Sequence, residues 1–183
     1  MRIALFARWP EPGKAKTRLI PALGAQGAAD LHRRLTERTV ATVLASGLRC
    51  EVRSTGADPA AFRDWLGVDA VDQGDGDLGV RLARAARDLP VLLIGADCPD
   101  LTPTHLRAAA AALSIAPAVI GPAQDGGYWL LGLAEPADVF EGIDWGGPQV
   151  LAQTVARLAV PPVVLDTLAD LDRPEDLACW PGL

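Results

Sequence analysis

Val91-Leu92-Leu93-Ile94-Gly95-Ala96-Asp97-Cys98-Pro99-Asp100 is the stretch that decides the fold. An unbroken apolar run ending in glycine and aspartate is the pattern of a strand buried on both faces, as in a central parallel sheet. Thr102-Pro103 follows as an N-cap with proline at the first helical position, and the spacing predicts a helix to about Leu113. Working outward, the same alternation recurs. Strands are expected at Ile3–Ala7, Arg49–Arg53, Asp69–Asp72, Ala118–Gly121, Tyr128–Leu133 and Pro162–Leu165. Helices are expected at Ala25–Ser46, Pro59–Leu66, Leu78–Asp88, Pro148–Leu158 and Pro174–Cys179. This order implies an α/β domain with an open, mostly parallel sheet flanked by helices. Ligands of such sheets bind at the carboxyl ends of the strands, so the chemistry should lie in the loops that follow them. With no internal repeat or linker, residues 1–183 read as one domain.

Composition narrows the function. Half the residues are hydrophobic and the formal net charge is −6, which excludes disorder and argues against a general nucleic-acid surface. The charge is uneven. Residues 1–40 carry eight Lys/Arg against three Asp/Glu, whereas residues 41–183 carry nine against twenty. A basic segment on an acidic protein points to a local anion site. Three cysteines in no paired pattern fit a reduced, cytoplasmic protein, and only His32 and His105 supply imidazoles, so a metal must be held by carboxylates. The apolar run at the N-terminus is too short for a signal peptide, and no stretch approaches a membrane span.

Four loops carry the candidate chemistry. In Arg8-Trp9-Pro10-Glu11-Pro12-Gly13-Lys14-Ala15-Lys16-Thr17-Arg18 stand the only two lysines of the chain, whose other fifteen basic residues are all arginines. Gly13 permits close backbone approach, and Lys14, Lys16 and Arg18 would neutralise phosphate, although the Walker A spacing is not met. The alternative is an exposed basic loop. Gln73-Gly74-Asp75-Gly76-Asp77-Leu78-Gly79 matches GxGxxG in form, but its two carboxylates would repel a pyrophosphate. Gly76, Asp77 and Leu78 are therefore read either as contacts to a base or ribose or as a turn with Asp77 capping the next helix. Asp97, at the end of the central strand, suits a divalent cation bridging to phosphate, with helix capping as the alternative. Cys98 beside it reads as packing. In Gly121-Pro122-Ala123-Gln124-Asp125-Gly126-Gly127-Tyr128-Trp129, Asp125, Gly126, Gly127 and Tyr128 could face an acceptor, or form a tight turn with core aromatics. Finally, Asp170-Leu171-Asp172-Arg173-Pro174-Glu175-Asp176-Leu177 offers Asp170 or Asp172 to complete a carboxylate site with Asp97, or Asp172 as a cap.

Together these segments resemble the radical-SAM/selenodomain-associated transferase family, type one, within the nucleotide-diphospho-sugar transferase superfamily. The resemblance rests on Pro12–Leu19, Gly76–Leu82, Ile94–Leu101, Gly121–Leu130 and Asp170–Leu177 in family order, and covers essentially the whole chain. More distantly, Ala15–Leu19 looks like the phosphate loop of 2-phospholactate guanylyltransferases, and Asp97-Cys98-Pro99 like the corresponding step of molybdopterin guanylyltransferases. Those relatives usually have asparagines where Asp170 and Asp172 stand. The resemblance implies a GT-A-like (Rossmann-like) single domain, with Arg18 and its loop on nucleotide phosphates, Gly76–Gly79 against the base, Asp97 on the metal and Asp125–Trp129 facing the acceptor.

The resulting expectation is a cytoplasmic transferase dependent on Mg²⁺ or Mn²⁺. It would bind a nucleotide or nucleotide sugar and a small acceptor, with no nucleic-acid or membrane partner. Lys16, Arg18 and Asp97 are the candidate catalytic residues, acting by charge stabilisation, and Asp97 and Asp172 are the candidate metal ligands. Nucleotidyl transfer is favoured, because the basic loop suits the extra charge of a triphosphate. Glycosyl transfer from a nucleotide sugar is the alternative, and a nucleotide-binding module without turnover is the third reading.

Overall fold

A computed structural model describes all of residues 1–183. Seven strands form one sheet: β1 (Arg2–Arg8), β2 (Arg49–Thr55), β3 (Asp69–Asp72), β4 (Val91–Ile94), β5 (Ala118–Pro122), β6 (Tyr128–Leu133) and β7 (Val163–Val164), in the spatial order β3-β2-β1-β4-β6-β5-β7. The central strands are parallel, with Leu5 opposite Ile94, so β1 and β4 end side by side. Only β6 runs against its neighbours, pairing Ile94 with Leu130 and Gly121 with Leu130 on its two sides. The β5–β6 hairpin therefore turns over at the edge where β1 and β4 end.

Five helices cover the sheet: α1 (Ile20–Ser46), α2 (Pro59–Leu66), α3 (Leu78–Ala85), α4 (Pro103–Leu113) and α5 (Val150–Val155). Strand alternation divides the core. Ile3, Leu5 and Ala7 pack with Val40 and Val43 of α1, Phe62 of α2, and Leu106 and Leu113 of α4. Ala4 faces the opposite side, with Leu82 of α3, Leu93 and Leu131. A third cluster joins Leu19, Leu31 and Leu35 to Leu171, whose side chain is fully buried. That cluster ties the C-terminal segment to the segment after β1. No helix is long and apolar enough to cross a membrane.

The element expectations hold with adjusted ends. The first helix begins at Ile20 rather than Ala25, because the chain kinks at Gly24 (φ 70°, ψ 167°) and resumes. The third helix stops at Ala85, short of Asp88, and the fifth spans less than Pro148–Leu158. The closing Pro174–Cys179 segment is a 3-10 helix. Thr102 caps α4 in a reciprocal box with His105: its hydroxyl accepts from the His105 N–H, and its own N–H donates to the His105 ring.

Candidate active site

The segment after β1 turns through Glu11–Ala15 by backbone hydrogen bonds and carries Lys14 outward, paired with Glu11 at 2.9 Å. Lys16 then adopts the left-handed conformation (φ 48°, ψ 45°), the only residue other than glycine with positive φ. An L-residue pays roughly 1–2 kcal/mol for that geometry, so the surroundings must hold it. They do so through the ammonium, whose side chain is only 4% exposed. Nζ lies 2.6 Å from Asp97 Oδ1 and 3.6 Å from Asp172 Oδ1, and donates to the Leu171 carbonyl. Arg18 pairs with the other oxygen of Asp172. The C-terminal segment is held against the β4 loop by the Leu171 N–H, which donates to the Asp97 carbonyl at 2.8 Å.

Electrostatics follow from this packing. Burial alone would lower the Lys16 pKa. The Asp97 charge and hydrogen bond, with Asp172 and Asp170, overcome it and leave the ammonium above the ordinary lysine value. Burial likewise opposes the Asp97 carboxylate, but Lys16 pulls it below the ordinary range. Burial pushes the Cys98 thiol well up, reinforced by Asp97, so it stays protonated and unreactive at neutral pH.

The two sides of Asp97 differ. On one lies a basic cleft of about 370 Å³ lined by Arg8, Lys14, Lys16, Arg18, His32 and Asp172. On the other lies a cavity of about 410 Å³ lined by apolar and aromatic groups, among them Phe6, Leu78, Leu82, Tyr128, Trp129 and Trp145, with Asp97, Asp125 and Asp170 as its charged groups. Trp129 is held in the wall by its indole N–H, which donates to the Asp166 carbonyl at 3.0 Å. Gly121 makes room for that ring, since a Cβ there would fall inside the indole.

The structure brings Lys14, Lys16, Arg18, Asp97 and Asp172 into the basic cleft, and Leu78, Asp125, Gly127 and Tyr128 into the wall of the apolar cavity. Four placements differ from the sequence reading. Asp172 was joined to Asp97 as a metal pair, but the Lys16 ammonium stands between the two carboxylates and Arg18 holds the far side of Asp172. Lys16 is expected from the sequence to contact phosphate, yet its ammonium is engaged by the Asp97 carboxylate and the Leu171 carbonyl, with Asp172 3.6 Å away. Gly76 and Asp77 line neither hollow. Asp77 caps α3 by accepting from the Val80 N–H at 2.9 Å, and Arg84 ties down the carbonyls of Gln73 and Asp75. Gly13 and Gly126 shape their turns at positive φ rather than line a hollow.

His32 was missed. It lies on α1 beside Leu31, where the apolar pattern conceals it, and it lines the basic cleft. Its Nε2 meets the Arg8 carbonyl at 2.9 Å, which makes Nε2 the protonated nitrogen. Nδ1 is buried without a partner, and burial depresses the pKa. The signal available in the sequence was one imidazole in the basic N-terminal quarter of the chain.

No three His, Cys, Asp or Glu side chains stand close enough to cage a metal ion. A site built from a single carboxylate still fits Mg²⁺, which commonly takes one or two carboxylates and completes its shell with substrate phosphates and water. Asp97 has one oxygen on Lys16, is half exposed at 49%, and adjoins the basic cleft, so its remaining oxygen suits that role.

The fold is that of the nucleotide-diphospho-sugar transferases, the GT-A-like class. Residues 39–147 match the model of the family described as "Uncharacterized protein conserved in bacteria (DUF2064)", and the chain belongs to that family. A candidate nucleotide-diphospho-sugar transferase from Desulfovibrio desulfuricans G20 superposes with a TM-score of 0.88 at 31% identity, over 94% of this chain and 82% of that one. Rv0371c of Mycobacterium tuberculosis H37Rv shares the fold at a TM-score of 0.60 and 20% identity, over 97% of this chain and 95% of its own. Glucosyl-3-phosphoglycerate synthase of M. tuberculosis, solved with Mn²⁺, UDP and glucosyl-3-phosphoglycerate, does so at 0.58 and 14%, over 97% of this chain and 74% of its own. No curated protein matches the chain by sequence.

Proposed function

We propose that this chain transfers a glycosyl group from a nucleoside-diphosphate sugar to a small acceptor, assisted by Mg²⁺ or Mn²⁺. The observation that carries the reading is the shared position of Asp97, which lines both the basic cleft and the apolar cavity. A donor diphosphate in the cleft and an acceptor in the cavity would meet beside that one carboxylate. Arg18 and Lys14, more than half exposed, face the diphosphate. Lys16 keeps Asp97 ionised and in place, and acts as a positioning residue. A divalent ion on Asp97 would supply neutralisation of the leaving diphosphate. In the reaction the acceptor oxygen bonds to the anomeric carbon and loses its proton. The bond from that carbon to the diphosphate oxygen breaks, and the nucleoside diphosphate leaves with its electron pair.

Glycosyl transfer is placed ahead of nucleotidyl transfer for a structural reason. A triphosphate calls for abundant free positive charge. Four cations line the cleft, but two carboxylates share it and take up Lys16 and part of Arg18. The remaining excess suits a diphosphate. Glucosyl-3-phosphoglycerate synthase, which shares the fold, holds UDP with Mg²⁺ or Mn²⁺. The five motifs also support placement with the radical-SAM/selenodomain-associated transferases of type one, acting as a single cytoplasmic domain over residues 1–183.

The test is a panel of nucleoside diphosphates, triphosphates and nucleotide sugars, each with and without Mn²⁺, read by thermal shift. A ligand of the native state raises its melting temperature by mass action. Diphosphates and their sugars should stabilise the protein only with Mn²⁺, and Asp97→Asn should abolish the Mn²⁺ response. Release of nucleoside diphosphate from the best sugar, with an acceptor mixture present, would establish the reaction. Pyrophosphate release from a triphosphate would reverse the assignment.

A further inference from the structure

We infer that Trp145 is a specificity-determining residue, a stacking surface that selects an acceptor whose body is a saturated ring with several hydroxyls, as in a pyranoside or a cyclitol. The word acceptor rests on the transferase reading above, whereas the stacking rests on the geometry of the cavity alone. Trp145 stands in the segment between β6 and α5, is half-buried, and lines the apolar cavity together with Gly146 and Gly147. Its place is built. Phe140 and Ile143 bury the preceding residues, the Asp144 N–H donates to Gln153 Oε1 at 2.9 Å, and the Gly147 N–H donates to the Asp144 carbonyl at 3.0 Å. Glycines of two other elements make room for the segment. At Gly79 in α3 a Cβ would stand 2.8 Å from Trp145 Nε1 and 2.6 Å from the Phe140 carbonyl oxygen. At Gly126 in the β5–β6 turn it would stand 2.2 Å from the Pro148 carbonyl oxygen. Glycine is unfavourable inside a helix, so its presence at Gly79 reflects this close approach. The pyrrole edge of the indole thus rests on helix backbone, which fixes the ring in the cavity wall.

The other aromatic groups of the wall are differently placed. Trp129 is 5% exposed and its N–H is taken by the Asp166 carbonyl. Phe6 and Tyr128 belong to strands β1 and β6, and the Tyr128 hydroxyl is buried. Trp145 alone comes from a loop. Ring selection follows from shape. Aromatic surface on β1, β6 and the Trp145 segment covers a rigid ring without freezing internal rotations, whereas an open chain of the same composition must lose several to lie against it. The hydroxyls follow from the polar groups between those surfaces. Asp125 spends one oxygen on the Gly127 N–H at 2.8 Å, and the N–H of Gly146 finds no acceptor within the chain. A purely hydrocarbon body would bury such groups unpaired, at a cost in affinity. A pyranoside or cyclitol offers an apolar C–H face to the indole and hydroxyls at its edge to Asp125 and Gly146. The cavity, at about 410 Å³, accommodates such a ring.

The test uses the full chain with Mg²⁺ and two kinds of NMR. Ligand-observed spectra give dissociation constants for myo-inositol, the methyl pyranosides of glucose, galactose and mannose, sorbitol and phenol. Sorbitol matches inositol in carbons and hydroxyls but is an open chain, and phenol has a ring with one hydroxyl. The five indole N–H signals of ¹⁵N-labelled protein show where each probe sits, Trp145→Phe identifying the signal of Trp145. At least one ring polyol should shift that signal and bind roughly tenfold more tightly than sorbitol, the effect of covering one ring face. Trp145→Ala should bring the ring-to-chain ratio near one, and Trp145→Phe, which keeps a flat ring and the packing of the loop, should retain most of it. Failure of every ring polyol to bind overturns the inference. So does equal or tighter binding of sorbitol or phenol, or a ring preference that survives Trp145→Ala. UDP and UDP-glucose are titrated on the same samples. A Trp145 shift with UDP-glucose and none with UDP would give the platform to the donor's sugar and overturn the assignment to the acceptor. Failure of both nucleotides to bind, with the ring preference intact, would refute the transferase reading and leave the selection by Trp145 standing.

Discussion

Replacing Lys16 by methionine keeps the length of the side chain and removes its charge, so it isolates the ammonium that Asp97, Asp172 and the Leu171 carbonyl surround. Breaking a fully buried ion pair from one side costs about 3–5 kcal/mol. An exposed pair contributes about 0–1 kcal/mol. Here the cation is buried, while Asp97 is 49% and Asp172 31% exposed, so water can partly resolvate the carboxylates. The loss should therefore be about 2 kcal/mol, or roughly 4–8 °C in melting temperature for a chain of this size. The pH dependence has a defined sign. Lys16 is raised, so its stabilisation is complete below the ordinary lysine value and is lost as pH rises through the folded value. Asp97 is lowered, so its stabilisation is complete above the ordinary carboxylate value and is lost as pH falls through the folded value. The gap between parent and Lys16→Met, followed by calorimetry, should be flat from about pH 5 to 9 and shrink outside about pH 4 and 10.5. Adding Asp97→Asn to Lys16→Met should recover part of the loss, because the unpaired charge is then gone. A double variant no more stable than Lys16→Met, or a gap indifferent to acid, would refute the claim that this pair is what holds the loop.

Arg18→Ala should weaken binding of a nucleoside diphosphate severalfold by isothermal calorimetry and leave the parent nucleoside unaffected, since its guanidinium faces the cleft beside Asp172. Gly126→Ala should destabilise the β5–β6 hairpin by about 2 kcal/mol or more in urea denaturation. Its φ is +91°, and a Cβ there would collide with the Pro148 backbone. Thr102→Ala should cost about 1 kcal/mol in the same assay by removing the cap of α4, without changing the Mn²⁺ response.

The sequence made the strands legible where hydrophobic continuity was strong. Val91–Ile94 and Tyr128–Leu133 are local signals, and their burial on both faces writes itself into residue type. Asp97 was legible for the same reason, because it follows the clearest strand. The partner of Lys16 was not legible. Its contacts come from the β4 loop and from the C-terminal segment, and no local pattern carries the packing of Leu171 that brings them together. In the glycine loop the capping alternative holds, since Asp77 satisfies a helix terminus. That Leu78 and Asp125, read as base and acceptor contacts, line one cavity was likewise not legible, because they lie far apart in the chain.

The reversed strand β6 has a bearing on how such a protein diversifies. A hairpin leaves and re-enters the sheet at the same edge, so residues inserted between Pro122 and Tyr128 need no change in strand order or in any crossover helix. Closing a longer loop is thermodynamically mild, about 0.6 kcal/mol for each doubling of its length. The wall that would meet the acceptor can thus be rebuilt in length and chemistry, while the parallel half, with β1, β4 and the Lys16–Asp97 pair, keeps its register. Under the proposed function, one fixed donor half would in this way serve a succession of acceptors, with new specificity arising from a single turn.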